Sequence, residues 1–223
     1  MSTKEMLERV TRFNELTEKL NDDLIEFLNT ASTVFISPHI NIDFDALSSA
    51  TSLYEICKTL EKTVYIVIDD DEDEMRINDP KMYMMLQAAK NYCNFINVEE
   101  MNNMRSNETT DNDHLIVVDT NNVNRVQVKD AISTFKHIMV IDHHSISTTP
   151  VPAEYNYVIP EATSASEIIA ELFILNGIDL SERVSNDLLT GIWLDTSRLT
   201  GSTVSSKTAS IFSILLENGA NVA

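Results

Sequence analysis

Thr33-Val-Phe-Ile-Ser-Pro-His-Ile-Asn-Ile-Asp-Phe-Asp-Ala-Leu47 and Thr63-Val-Tyr-Ile-Val-Ile68 bracket the stretch that decides the fold. The opening Thr33–Ser37 is a short apolar, β-branched run and reads as a buried strand. Over 45–60 the apolar residues Ala46, Leu47, Leu53, Ile56 and Leu60 fall at helical spacing, and 63–68 returns to strand character. Strand, helix and strand at this interval form a βαβ unit, which implies parallel pairing through a right-handed crossover. In open sheets of this kind the chemistry sits beyond the carboxyl ends of the strands. His39, Asp43 and Asp45 lie just past the first of them.

The pattern repeats along the chain. Leu115–Val118 is an apolar strand followed by Asp119-Thr120, and His137-Ile-Met-Val-Ile141 is followed by Asp142-His143-His144. The run from Leu188 to Leu194 ends in Asp195-Thr196. Further helices are expected at 80–91, 164–176, 182–194 and 204–218, with a short helical segment at 128–135. Strands are expected at 93–97 and 155–159, and a loose polar loop at 102–112. The fold class is therefore α/β, an open and mainly parallel sheet flanked by helices. Met6, Val10, Phe13, Leu16, Leu20, Leu24, Phe27 and Leu28 predict a helix over 3–29, a possible pairing surface between two copies. The chain divides into a lead-in helix, 1–30, and one domain, 31–223.

Composition narrows the functional classes. With 43% hydrophobic and 23% charged residues among 223, the chain reads as one globular domain. No apolar run approaches the ~20 residues of a membrane span. The N-terminus carries no apolar leader, and Cys57 and Cys93 lack paired spacing, so a cytoplasmic location with reduced thiols is expected. The net charge of −19 repels polyanions and argues against a long nucleic-acid track. A small phosphorylated substrate gripped through metal ions is easier to reconcile with it. The acidic run Asp69–Glu74 is expected to be a hydrated loop. His114 and His137 are expected at the surface, and Trp193 in the core.

Taken together, His39, Asp43, Asp45, Asp119, Asp142, His143, His144 and Asp195 offer carboxylate and imidazole ligands without thiolates, a set suited to Mn²⁺, Mg²⁺ or Zn²⁺. Four carboxylates in one crevice repel each other and raise one another's pKa values, a conflict that divalent ions remove.

These four segments, in this order across positions 34 to 203, resemble the DHH phosphoesterases, a family of nucleases, oligoribonucleases, dinucleotide phosphodiesterases and family II pyrophosphatases. The hydrophobic Phe44 between Asp43 and Asp45 is most similar to the cyclic-di-AMP phosphodiesterase branch. The resemblance implies two Mn²⁺ ions, with Mg²⁺ or another divalent ion as a substitute. One would sit on His39, Asp43 and Asp119, the other on Asp45, Asp119, His143 and Asp195. It further implies that His144 contacts the scissile phosphate, that Asp142 orients a ligating histidine, and that Asn41 holds the substrate or the turn. Ser164-Ala165-Ser166-Glu167 resembles a structural helix start. The implied activity is hydrolysis of cyclic di-AMP or a short linear dinucleotide such as pApA by a two-metal mechanism. A pyrophosphatase- or polyphosphatase-like hydrolase and a non-hydrolysing metal- and nucleotide-binding module are the alternatives. The family's proline is Ile42 here, which would loosen the turn, and Leu199 and Ser202 replace an aromatic residue and a phosphate-facing arginine. Family phosphodiesterases also carry a second, glycine-rich, substrate-recognising domain, and this chain, with 4 glycines, is expected to lack it.

Overall fold

The structure, a computed structural model, describes residues 15–106 and 111–221. Its centre is a six-stranded sheet built from β1 (Thr33–Ser37), β2 (Thr63–Val67), β3 (Phe95–Ile96), β4 (Asp113–Val118), β5 (His137–Asp142) and β6 (Tyr155–Val158). The strand order is β3-β2-β1-β4-β5-β6 and every pairing between these strands is parallel. The order reverses between β1 and β4, which opens a crevice at their carboxyl ends.

The strands read as continuous apolar runs because both faces of the sheet are covered. Val34, Ile36, Val64, Ile66, Ile116, Val118, Met139 and Ile141 point into the larger core. That core is closed by α1 (Glu15–Thr30), α2 (Phe44–Thr59), α6 (Ala165–Asn176), α7 (Glu182–Asp195) and α8 (Ser206–Glu217). The alternate residues Phe35, Leu115, Val117, Ile138 and Val140 face a smaller core with Met101 of α5 (Val98–Ser106) and with Val126, Val128, Ile132 and Phe135. Cys57 and Cys93 are buried and unpaired, each beside the larger core's side chains.

Helix α2 is buried almost all round, and Ser48, Ser49, Thr51 and Ser52 lie inside it. Small hydroxyl side chains allow close approach, and those of Ser49 and Thr51 return their protons to carbonyls three residues earlier. Helix α6 starts on Ser164, whose Oγ accepts from Glu167 N at 3.0 Å. It ends on Gly177 at φ 64°, whose N–H meets the Ile174 and Phe173 carbonyls.

Several expectations change. The lead-in helix is described from Glu15 onward, and residues 3–14 lie outside the described residues. The first five residues of the polar loop expected at 102–112 belong to α5, and 107–110 lie outside the described residues. The helical segment near 128–135 is a single 3₁₀ turn, Ile132–Thr134. The acidic run 69–74 is structured: Asp71 caps α3 (Glu72–Asn78), accepting from Asp73 N and Glu74 N. Helix α4 (Pro80–Ala89) follows directly. Trp193 is half-buried and lies 5.6 Å from the Phe212 ring.

His137 is partly exposed beside Glu154, but His114 is not a surface residue. It is 1% exposed, and its ring stands 4.3 Å from Phe27 and 4.6 Å from His137. Burial, reinforced by His137, lowers its pKa from 6.5 to about 4. The unfolded chain therefore binds this proton more readily than the folded one. Its contribution to stability is complete above pH 6.5 and is lost as pH falls toward 4. Chemical denaturation of wild type and His114→Phe across that interval is expected to show a shallower acid loss in the variant.

Candidate metal centre

The crevice gathers side chains from five segments. His39 follows β1, and its Nδ1–H donates to the Ile40 carbonyl at 2.8 Å, which turns Nε2 inward. That Nε2 stands 3.5 Å from Asp43 Oδ2 and 3.5 Å from Asp119 Oδ2. Asp43 caps α2 with its other oxygen, which accepts from Ala46 N at 3.0 Å. Asp119, 1% exposed, sits one residue beyond β4 at φ 59°. A non-glycine residue in that region costs about 1–3 kcal/mol. Its N–H bonds to the Ile141 carbonyl at 3.0 Å and fixes the carboxylate in the crevice mouth.

A second cluster adjoins the first. His143 Nε2 lies 3.3 Å from Asp119 Oδ1, 3.7 Å from Asp45 Oδ2 and 3.6 Å from Asp195 Oδ2. Asp45 is held from behind by α6, with Ala165 N at 2.7 Å and Ser166 N at 2.9 Å. The Ser164–Glu167 segment therefore caps its helix and also positions an acid of the crevice. Asp195 comes from the last residue of α7, so helices α2, α6 and α7 meet at this edge.

Gly191 of α7 permits that meeting. A Cβ there would stand 2.1 Å from Ser166 Oγ, 2.8 Å from Ser166 Cβ and 2.8 Å from Asp45 Oδ1.

The donor atoms fit divalent ions. Asp119 Oδ1 and His143 Nε2 are buried, and neither has a hydrogen-bond partner in the described structure. Such atoms are costly unless something satisfies them. At bond lengths of ~2.1 Å, two ligands of one ion lie about 3.0 Å apart at a right angle and about 3.4 Å apart in a tetrahedron. The N···O separations of 3.3–3.7 Å are of that size. His39, Asp43 and Asp119 form one group with mutually close ligand atoms, and Asp45, His143 and Asp195 another.

The electrostatics agree. Burial, together with the charges of Asp119 and Asp195, pushes the Asp45 carboxyl well above its usual range. Burial and Asp119 raise Asp195 as well. Burial works against charge on His39 and His143, but the carboxylates around them prevail and raise the pair to about 10 and about 9. At neutral pH the metal-free crevice therefore holds imidazolium in place of metal. Each ion is expected to displace about one proton per histidine ligand, so that apparent affinity rises from pH 7 toward 9–10 and then levels. Titrations in buffers of different ionisation enthalpy measure this release directly.

Asp142 and His144 form a pair beside the two groups. Asp142, fully buried, accepts the His143 and His144 N–H groups at 2.9 and 3.2 Å and the His144 Nδ1–H at 2.7 Å. It thus orients His144, not the ring of His143. With Nδ1 so engaged, Nε2 is the ring nitrogen left uncommitted. His144 Nδ1 also stands 3.6 Å from Asp119, and these two with His143 make a third close group.

Asn41, exposed at φ 54°, shapes the turn. Its N–H and that of Ile42 donate to the two Asp70 oxygens at 3.0 and 2.9 Å. Ile42 does not loosen this turn: it supplies an N–H that proline lacks, and its side chain packs with Leu47 and Met82. Asp70 and Asn121 were missed by sequence reasoning. Asn121 donates to Asp142 and to the Ser145 carbonyl and accepts from Ser147 N. Its adjacency to Asp119-Thr120 was the available signal. Past Asp195, Ser197, Arg198 and Leu199 form a left-handed turn at φ 48°, 65° and 62°, pinned by Thr196 Oγ1 accepting from Leu199 N.

The sequence profile of the DHH family, N-terminal domain, matches residues 33–194, the span that contains every clustered side chain of the crevice but Asp195. The chain belongs to the DHH family. A membrane protein–large ribosomal subunit bL9 fusion protein of Onion yellows phytoplasma is 26% identical over 203 residues, covering 89% of this chain and 23% of that protein. The cyclic-di-AMP phosphodiesterase PdeA of Listeria monocytogenes is 26% identical over 186 residues, covering 81% of this chain and 27% of that protein. This DHH chain thus spans about a quarter of the length of these curated relatives. Among solved structures, an exopolyphosphatase-related protein from Bacteroides fragilis superposes with a TM-score of 0.71 at 20% identity, over 92% of this chain and 58% of that one. That likeness is one of fold. Among the described residues no helix is long and apolar enough to cross a membrane.

Proposed function

We propose that this DHH chain is a divalent-metal-dependent phosphodiesterase domain acting on a cyclic or short linear dinucleotide, cyclic di-AMP or pApA, with Mn²⁺ as the favoured ion. The observation that carries the reading is the convergence of His39, Asp43, Asp45, Asp119, His143 and Asp195 at the switch point between β1 and β4. The proposed holders of one ion are His39, Asp43 and Asp119. Those of the other are Asp45, Asp119, His143 and Asp195, with Asp119 shared through its two oxygens. Two ions so held would supply Lewis acidity toward the phosphoryl oxygens and a more acidic water.

The chain's own residues do the rest. Asp142 fixes the His144 ring so that its outward nitrogen is available to a phosphoryl oxygen. The Asp142 hydrogen bond also raises the His144 pKa, which favours the charged donor beside an anion. Asp70 and Asn41 keep the first turn in shape, while Ala165 and Ser166 hold Asp45 against the repulsion of its neighbours. A net charge of −19 and the relation to PdeA support a small dinucleotide over a long polymer.

The test is turnover by the Mn²⁺-loaded chain of cyclic di-AMP, pApA and pyrophosphate, beside a His144→Ala variant. Dinucleotide hydrolysis that falls about 10²-fold or more in the variant is the expected result. Turnover of pyrophosphate alone transfers the assignment to a pyrophosphatase-like hydrolase. Dinucleotide binding without turnover transfers it to a regulatory binding module.

A further inference from the structure

A hollow of about 170 Å³ opens beside the metal centre on its β4–β5 side, lined among others by Thr120, Asn121, Arg125, His144, Ser145 and Ser147. It is smaller than whole-ligand pockets, which run to about 300 Å³ or more, and suits one group of a larger ligand. We propose that it is a subsite for a second phosphoryl group of the substrate, with Arg125 as its anion-binding side chain and His144 as the link to the reacting phosphate. This rests on the phosphodiesterase reading above.

Charge allocation is the first argument. The chain has 35 acidic residues against 16 basic ones, so cations are scarce. Among the described arginines, Arg76, Arg105 and Arg183 each hold a carboxylate. Arg125 and Arg198 hold none within salt-bridge distance among the described residues. Both follow acids of the metal centre closely in sequence, Arg125 after Asp119 and Arg198 after Asp195. An exposed arginine left without an acid in so acidic a chain is available for an anion from outside, and its planar fork matches phosphate.

The rim is built, not loose. The Arg125 carbonyl accepts from Ile40 N at 2.7 Å, which ties the root of Arg125 to the residue after His39. Asn122 pairs with Pro150, Val123 N bonds to the Thr149 carbonyl at 3.0 Å, and Val151 N to that of Asn121 at 2.9 Å. Asn121 then bridges to Ser145 and Ser147 across the hollow. The one carboxylate in the lining, Asp142, spends its charge on His144, Asn121 and two backbone N–H groups. A second hollow of about 180 Å³ flanks the other side of the centre, but Asp70, Asp71, Glu74 and Asp79 line it. An anion is drawn to the Arg125 side and repelled from that one.

The test compares pApA with ApA, which lacks the terminal phosphate, on the wild type, Arg125→Gln and Arg125→Lys. Dissociation constants are measured calorimetrically with Ca²⁺ in place of Mn²⁺ to hold back turnover. The wild type is expected to bind pApA about tenfold or more tighter than ApA. Arg125→Gln is expected to bring that ratio near one without changing ApA affinity or the melting temperature, and Arg125→Lys to restore part of it. A wild type without preference, a ratio preserved in Arg125→Gln, or equal loss on both ligands would overturn the subsite. Absence of Mn²⁺-dependent turnover in the wild type would count against the phosphodiesterase reading alone, because the binding ratio still decides the subsite.

Discussion

Asp119→Ala is expected to lower metal-dependent phosphodiester hydrolysis by roughly 10³-fold or more, the largest effect of any single substitution in the crevice. One oxygen of Asp119 faces His39 and the other faces His143, so among the described residues it is the carboxylate placed between both proposed ion positions. Its loss removes a ligand from each at once. The fold should survive, because the backbone bond from residue 119 to the Ile141 carbonyl does not depend on the side chain. Alanine at φ 59° is strained, so Asp119→Asn is the companion variant. Asparagine keeps the shape, tolerates the left-handed region and removes the charge. Initial rates for both variants with saturating Mn²⁺, beside their far-ultraviolet dichroism, separate a lost centre from a lost fold. Retention of wild-type rates by the alanine variant contradicts the shared-ligand assignment.

Gly191→Ala is expected to produce the second-largest effect, although residue 191 touches no substrate. The new methyl carbon would stand 2.8 Å from both Ser166 Cβ and Asp45 Oδ1. Rotation of the Ser166 hydroxyl relieves the 2.1 Å contact with Oγ but not the contact with Cβ, so α6 and α7 must separate. Overpacking of this kind costs about 1–3 kcal/mol. The displacement also reaches Asp45, whose two oxygens are held by Ala165 N and Ser166 N of α6. Both a lower melting temperature and a weaker second ion are expected, with the His39 group spared. A double variant, Gly191→Ala with Ser166→Gly, removes both clashing Ser166 atoms, leaves only the contact with Asp45 Oδ1, and should recover part of both losses. Failure to recover either one would show that the close approach is not what glycine 191 serves.

The central strands were legible because burial on both faces leaves uninterrupted apolar runs, as in Leu115–Val118, which ends sharply at Asp119. The proposed ligands were legible for the same reason, since acids and histidines just beyond buried strands have few structural uses. The groups that support them were not. Asp70 lies in a run of six acidic residues that looks uniformly hydrated, and only the tertiary fold brings it under Asn41 and Ile42. Which histidine Asp142 would hold was not legible, because adjacency in sequence does not say which ring turns back. His144 folds its Nδ1 onto Asp142 while His143 points into the crevice. His114 was misplaced because a polar residue at a strand's first positions usually faces water. Here α1 lays Phe27 over it.

The central claim is a pair of ions sharing Asp119, and a calorimetric titration of Mn²⁺ into the metal-free chain tests it most directly. The account predicts two ions per wild-type chain, one in His39→Ala, one in His143→Ala, and none bound tightly in Asp119→Ala. A wild-type chain that takes up one ion or none, or an Asp119→Ala variant that still binds two, would contradict it.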